Sequence, residues 1–202
     1  MLTLYTWGTP NGRKPLILLE ELELPYELVR VDIGAGEQRS PDFLRINPNG
    51  KIPALYDAAR DLPIFESGAI LVYLAEKTGR FLSTDPSVRA RELSWLFLQT
   101  SAVGPVWAQA NWFASRPDAS HEACEHFRTE LIRLYGILDA RLAEAPFLGG
   151  ECYGIADIAT WPWIYLPSAF RCEPGTFRHV DAWTNRITAR PAVQSAMAVS
   201  FP

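Results

Sequence analysis

The chain has 202 residues, 48% hydrophobic and 21% charged, with 19 basic against 23 acidic side chains for a formal net charge of −4. That is enough chain for one large domain or two small ones with a real core. The mildly acidic balance gives neither nucleic acid nor an anionic membrane anything to be drawn to, so a small molecule is the expected partner. Cys124, Cys152 and Cys172 lie far apart with no Cys-x-x-Cys pair, which excludes a zinc knuckle and a thioredoxin-type dithiol and suits a reducing compartment. Met1 to Thr6 carries no basic flank, and no run of the sequence approaches the ~20 apolar residues that cross a bilayer, so a cytoplasmic location is expected.

Leu2 to Tyr5 is expected to form a short buried strand. The turn-rich Gly8-Thr9-Pro10-Asn11-Gly12 follows, and Leu16-Ile17-Leu18-Leu19 with Leu22 and Leu24 starts a helical pattern. Asn11 is the expected N-cap, with Pro15 inside the first turn, where its missing N–H does no harm. Val29, Val31 and Ile33 alternate with Arg30 and Asp32 as a strand does, completing a βαβ unit. A polar stretch with Gln38 leads through a short helix over 41–46 to a hairpin of 53–57 with 62–65 and a helix from Ser67 to about Thr78. The order βαβ then ββα is that of a thioredoxin-like domain. From Ser87 onward the apolar residues recur at helical spacing. Cys124, Phe127, Leu131, Leu134, Leu138 and Leu142 line one face of a long helix, and Ile155 to Trp163 forms another with Pro162 inside it. The expected fold class is therefore α/β plus all-α: a thioredoxin-like βαβ-ββα domain over 1–79, a linker over 80–86, and an all-helical domain over 87–202.

The most informative stretch is Asn49-Gly50-Lys51-Ile52-Pro53-Ala54-Leu55, followed by Phe65-Glu66-Ser67-Gly68-Ala69-Ile70. Ile52-Pro53 can turn the chain and present the Ile52 backbone to a peptide that pairs like an added strand. Ser67, read as the N-cap of the next helix, offers free amides to a carboxylate, and Glu66 beside it can hold an ammonium. A ligand with an amino acid head and a peptide-like middle meets both features, and glutathione has that shape.

Together with Thr9-Pro10-Asn11-Gly12-Arg13-Lys14, Tyr73-Leu74-Ala75-Glu76-Lys77-Thr78-Gly79 and the helix start Ile155-Ala156-Asp157-Ile158-Ala159, these motifs resemble the glutathione transferase superfamily over nearly the whole chain. Within it they are most similar to the nu-class proteins, relatives of the yeast nitrogen-regulation prion protein that act as glutathione-dependent disulfide reductases and peroxidases. The resemblance implies a homodimer that detoxifies electrophiles or reduces disulfides and peroxides, with glutathione as co-substrate and no metal. Two departures stand out. Gly154 replaces the Ser or Thr that usually precedes Asp157 by three, which removes one reciprocal cap bond. The segment from Trp7 to Lys14 also has no cysteine, which excludes a protein-thiol mechanism of the beta-class kind.

Catalysis by glutathione requires thiolate, and donors near sulfur provide it. Thr9 offers a hydroxyl and Asn11 an amide; the ordinary alternative is that both only shape a turn and cap a helix. Tyr5, at the end of the first strand, is the rival donor, with a place at the core edge as its ordinary fate. For the rest of glutathione, Ile52 beside Pro53 pairs with the cysteinyl backbone and Glu66 with Ser67 takes the γ-glutamyl end. Lys51 and Gln38 reach for the glycyl carboxylate, and Arg133 is the family's arginine from the helical domain. Trp7, Trp107, Trp112 and Phe113 either line a pocket for the second substrate or pack as core. His121, His126 and His179 have no metal-binding spacing. A non-catalytic glutathione-transferase-like binding or regulatory protein is the competing class.

Overall fold

The structure is a computed structural model, and it describes residues 1–166 and 175–201; Cys172 lies outside them. Two compact units divide the chain: Met1–Leu82 with Ala189–Pro202, and Ser83–Thr188.

The first unit is a four-stranded sheet in the order β2-β1-β3-β4. Strand β1 (Leu2–Thr6) runs parallel to β2 (Tyr26–Arg30) and antiparallel to β3 (Ala54–Asp57), which pairs antiparallel with β4 (Leu62–Phe65). Helix α1 (Pro10–Leu22) links β1 to β2, α2 (Pro41–Ile46) precedes β3, and α3 (Ser67–Thr78) follows β4. This is the expected thioredoxin-like order. Strand β2 stops at Arg30 rather than running to Ile33, because the Asp32 carboxylate accepts the Gly34 and Ala35 N–H groups and turns the chain.

Helix α1 is the centre of this unit. Leu16, Ile17, Leu18 and Leu19 are all fully buried, which a single amphipathic stripe does not require. The sheet, α3 and the last helix, α9 (Pro191–Ala198), pack around it. Arg13 donates from one Nη to the carbonyls of Ala196 (2.6 Å) and Val199 (3.0 Å), and Glu21 accepts two hydrogen bonds from Arg190 just ahead of α9 (2.5 and 2.8 Å). This division differs from the predicted helical domain over 87–202 at the tail, which these contacts tie to α1.

Asp57, almost wholly buried at the end of β3, accepts from Lys77 Nζ at 2.8 Å and from the Tyr73 hydroxyl at 2.5 Å, so the hairpin is fastened to α3. Those donors hold its carboxyl down at about 2.

The second unit is helical. Helix α4 (Pro86–Leu98) continues through a π-helical stretch, Gln99–Val103, into α5 (Gly104–Ala114). Helix α6 (His121–Glu144), α7 (Ile155–Tyr165) and α8 (Arg178–Thr188) follow. Leu131, Leu134, Leu138 and Leu142 of the predicted face of α6 are buried. Asp139 on α6 caps α8 by accepting the N–H groups of His179 and Val180. At the α7 start the Asp157 carboxylate, with no exposed surface, accepts from Gly154 N (3.1 Å), Leu148 N (2.9 Å) and Trp183 Nε1 (2.8 Å). Gly154 has no hydroxyl to return the bond, as the sequence implies, and the aspartate half of the box stands alone.

Candidate active site

Three chain segments meet at one end of the first sheet, and the strand register brings them there. Tyr5 lies opposite Ala54 and Ala54 opposite Phe65. The segment leaving β1 (Trp7 to Thr9), the Ile52-Pro53 entry to β3 and the Glu66-Ser67 exit from β4 are therefore neighbours at that end of the sheet. A bond from Lys14 Nζ to Ser67 Oγ (3.3 Å) joins the starts of α1 and α3 directly.

The α1 start differs from expectation. Its N-cap is Thr9, in extended conformation (φ −96°, ψ 163°), whose Oγ1 accepts the Gly12 N–H at 3.1 Å. Pro10 occupies the first helical position because its absent N–H would have been unpaired there in any case. Asn11 is thus freed from capping, and its side-chain amide makes no hydrogen bond among the described residues. Pro15 falls inside the helix, where its missing N–H takes a partner from the Asn11 carbonyl. Gly12 is obligatory for a steric reason: a Cβ there would sit 2.1 Å from the Trp7 carbonyl oxygen. The Thr6 hydroxyl donates to the Gly12 carbonyl at 2.9 Å and sets the helix start on the strand end.

The α3 start also differs. Ser67 is the first helical residue, 7% exposed, and the N-cap is Glu66, which makes no side-chain cap bond. Strand β4 ends at Phe65, so one residue alone makes the turn, and Glu66 makes it at φ 70°, ψ 119°. A non-glycine residue there carries strain of about 1–3 kcal/mol. The Glu66 side chain is exposed at the start of α3, where the first N–H groups of the helix are open.

The Ile52-Pro53 peptide is cis. Neither the N–H nor the C=O of Ile52 has a hydrogen-bond partner among the described residues. The Asn47 side-chain amide donates to the Lys51 carbonyl at 2.6 Å, which shapes the approach to this edge. Lys51 is exposed with its ammonium unpaired among the described residues. Gln38 donates to the Ile33 carbonyl at 3.4 Å while its Oε1 is buried without a partner.

Tyr5 is on the other face of the sheet from Leu4 and α1. It packs edge-on against Phe43 of α2 (ring centroids 6.3 Å) in a small cluster with Val31 and Ala54, and borders a groove of about 540 Å³ beneath α2. That is the core-edge role. Arg133 belongs to the second unit, exposed on α6 and forked onto Glu130 at 2.6 and 2.7 Å. Of the four aromatic residues, Trp107 is buried edge-on to Trp163, Trp112 is about half exposed beneath Arg116, and Phe113 stacks on Phe127. Trp7 meets Phe201 of the tail at 5.7 Å, and Phe201 also lies against Gly8 and beneath the Arg13 guanidinium. Among the described residues no three His, Cys, Asp or Glu side chains gather as a metal site, and no helix is long and apolar enough to cross a membrane.

Lys14 is the site residue that sequence reasoning passed over. It is 1% exposed, and burial brings its ammonium down to about 7 even though the Glu66 carboxylate pulls the other way. A lysine is ordinarily a solvated charge. Its one sequence signal is its position between Gly12 and the continuously apolar run from Leu16.

The chain as a whole is similar to known proteins. The family model for the glutathione S-transferase N-terminal domain matches residues 1–76, and that for the C-terminal domain matches 105–191. The disulfide-bond oxidoreductase YfcG of Escherichia coli K12 is 46% identical over 98% of this chain and 94% of its own length. A glutathione transferase family member from Pseudomonas fluorescens Pf-5, solved with two glutathione bound, superposes with a TM-score of 0.90 at 37% identity over 98% of this chain and 93% of that one. Ure2p in complex with glutathione gives 0.91 at 32% identity over 98% and 93%. The chain belongs to the glutathione S-transferase family.

Proposed function

We propose that this chain binds glutathione at the sheet end of the first unit, holds its thiol as thiolate, and uses it chiefly to reduce disulfides. The observation that carries this reading is the convergence, at one end of the sheet, of the unpaired Ile52 backbone, the open α3 start at Glu66-Ser67 and the Thr9-Asn11 bend. The γ-glutamyl head sits at Glu66-Ser67, the cysteinyl backbone pairs with Ile52 beside Pro53, and Lys51 and Gln38 take the glycyl end. The sulfur then faces Thr9 and Asn11. Thr9 Oγ1 spends an acceptor on Gly12 N, so its proton is left to donate to sulfur, and the Asn11 amide donates alongside. Stabilising the anion in this way lowers the thiol's pKa.

The bound thiolate attacks one sulfur of a disulfide, forming a mixed disulfide and expelling the other sulfur as thiolate. A second glutathione thiolate attacks the glutathione sulfur of the mixed disulfide, giving glutathione disulfide and the second free thiol. Two glutathiones are oxidised per disulfide reduced, and no protein cysteine takes part. Relatives named for disulfide-bond oxidoreduction support this choice over transfer to electrophiles, and the same thiolate serves peroxides. Arg133, a cytoplasmic homodimer and a role in detoxification complete the reading on family grounds.

Turnover of hydroxyethyl disulfide and of a chloronitroaromatic acceptor, each with glutathione, tests it. Disulfide reduction well above transfer is expected. Absence of both activities with intact glutathione binding supports the non-catalytic class instead.

A further inference from the structure

We propose that Lys14 is a positioning residue of this site: its buried ammonium, bonded to Ser67 Oγ, turns the Ser67 hydroxyl proton outward and places a positive charge beneath the carboxylate of the bound γ-glutamyl head. The inference rests on the reading above, that the head sits at Glu66-Ser67.

The geometry is direct. Lys14 Nζ donates to Ser67 Oγ at 3.3 Å, and an ammonium has only donors, so the serine oxygen accepts and its own proton points elsewhere. Ser67 is the first residue of α3, where the open N–H groups already favour an anion. Lys14 reaches it from α1, and its alkyl stem is enclosed in the core.

Glu66 is the carboxylate that acts on the Lys14 ammonium. On α1 itself, Arg13 is directed to the Ala196 and Val199 carbonyls and Glu21 is held by Arg190. Helix α9 carries no titratable side chain, and on β1 Tyr5 faces α2. Burial makes the ammonium costly, with a value of about 7, so a ligand carboxylate arriving beside it draws a proton onto Lys14 near neutrality. Where Lys14 is a neutral amine, it can accept the serine proton and turn that hydroxyl away from the ligand.

The test uses S-methylglutathione, which has no thiol proton to release, and its analogue with the γ-glutamyl residue replaced by 4-aminobutyryl, which lacks the head carboxylate. Calorimetry on the unaltered protein near pH 7, in buffers of different ionisation enthalpy, is expected to show fractional proton uptake with the first probe and none with the second. Lys14→Met should weaken the first probe about tenfold or more and the second hardly at all, because an ion-bonded contact is lost only where the carboxylate is present. Lys14→Gln, a neutral donor, should recover part of that loss. Equal weakening of both probes, or binding of the first without proton uptake, overturns the role of Lys14. Failure of the unaltered protein to bind glutathione itself overturns the site, and this outcome is distinct from the others. The proton-uptake arm needs no variant and stands even where Lys14→Met does not fold.

Discussion

Thr9 Oγ1 accepts the Gly12 N–H at 3.1 Å, so one side chain both caps α1 and keeps a proton for a ligand. Thr9→Val keeps the shape and removes both functions. It is expected to cost about 1 kcal/mol of stability from the lost cap and at least about tenfold in kcat/KM, with Thr9→Ser close to the unaltered protein. Equal loss of stability and no loss of kcat/KM would leave Thr9 as a cap alone. Urea unfolding and steady-state kinetics together separate the two.

Gly12 and Gly136 make a paired prediction about packing. A Cβ at Gly12 meets the Trp7 carbonyl oxygen at 2.1 Å, whereas at Gly136, on α6, nothing lies within 4 Å. Gly12→Ala should therefore destabilise by on the order of 3 kcal/mol, since the obstacle is backbone and cannot rotate away. Gly136→Ala should stabilise by about 1 kcal/mol through helix propensity. Chemical denaturation of the two variants checks the signs.

The layout of the elements around this candidate site is legible in the sequence because its determinants are local. Ile52-Pro53 and the turn residues around the hairpin placed β3, β4 and α3, and the order βαβ-ββα placed their ends together. The errors have local causes too. Asn11 and Thr9 are both ordinary caps by residue type, and it is the fitness of Pro10 for the first helical position that makes Thr9 the cap. Ser67 is the better cap by residue type, and a strained non-glycine cap such as Glu66 is not written in composition. Lys14 and the Arg13 and Arg190 anchors of α9 depend on contacts between residues far apart in sequence, and a basic side chain alone gives no sign that it will be buried.

If the γ-glutamyl head sits at Glu66-Ser67 as proposed, the strained residue is also a binding residue. Glu66→Gly relieves a φ of 70° that glycine tolerates, and is expected to leave thermal stability equal or higher, by up to about 1 kcal/mol. Glutathione affinity should nonetheless fall about tenfold or more, because the carboxylate facing the ligand's ammonium is gone. A fall in stability with unchanged affinity would mean that the conformation serves packing rather than binding. Differential scanning calorimetry with and without glutathione reads both quantities.

Two buried aspartates act oppositely with pH. Asp57 is lowered from its ordinary 3.8 to about 2 by Lys77 and Tyr73, so its contribution is present above about 3.8 and is lost as pH falls toward 2. Asp157 is raised to about 6, by burial against the pull of its Leu148, Trp183 and Gly154 donors. Its neutral form is the one folding favours, so its contribution is full below about 3.8 and declines as pH rises through 6. Asp57→Asn should flatten the acid side of the stability profile, and Asp157→Asn should remove a decline between about pH 4 and 6. Asp157→Ala leaves Leu148 N, Gly154 N and Trp183 Nε1 without an acceptor and should cost about 3 kcal/mol or more. Denaturation midpoints measured across that pH range test all three.

The central claim is that the Thr9-Asn11 bend holds glutathione as thiolate, and ultraviolet titration of the bound thiol measures this directly. In the unaltered protein the thiol is expected to ionise at least about one unit below a free thiol's ~8.5, and the combined Thr9→Val and Asn11→Ala variant should return it toward that value while still binding glutathione. A bound thiol that ionises as it does free in solution, or one equally depressed in the double variant, contradicts the account.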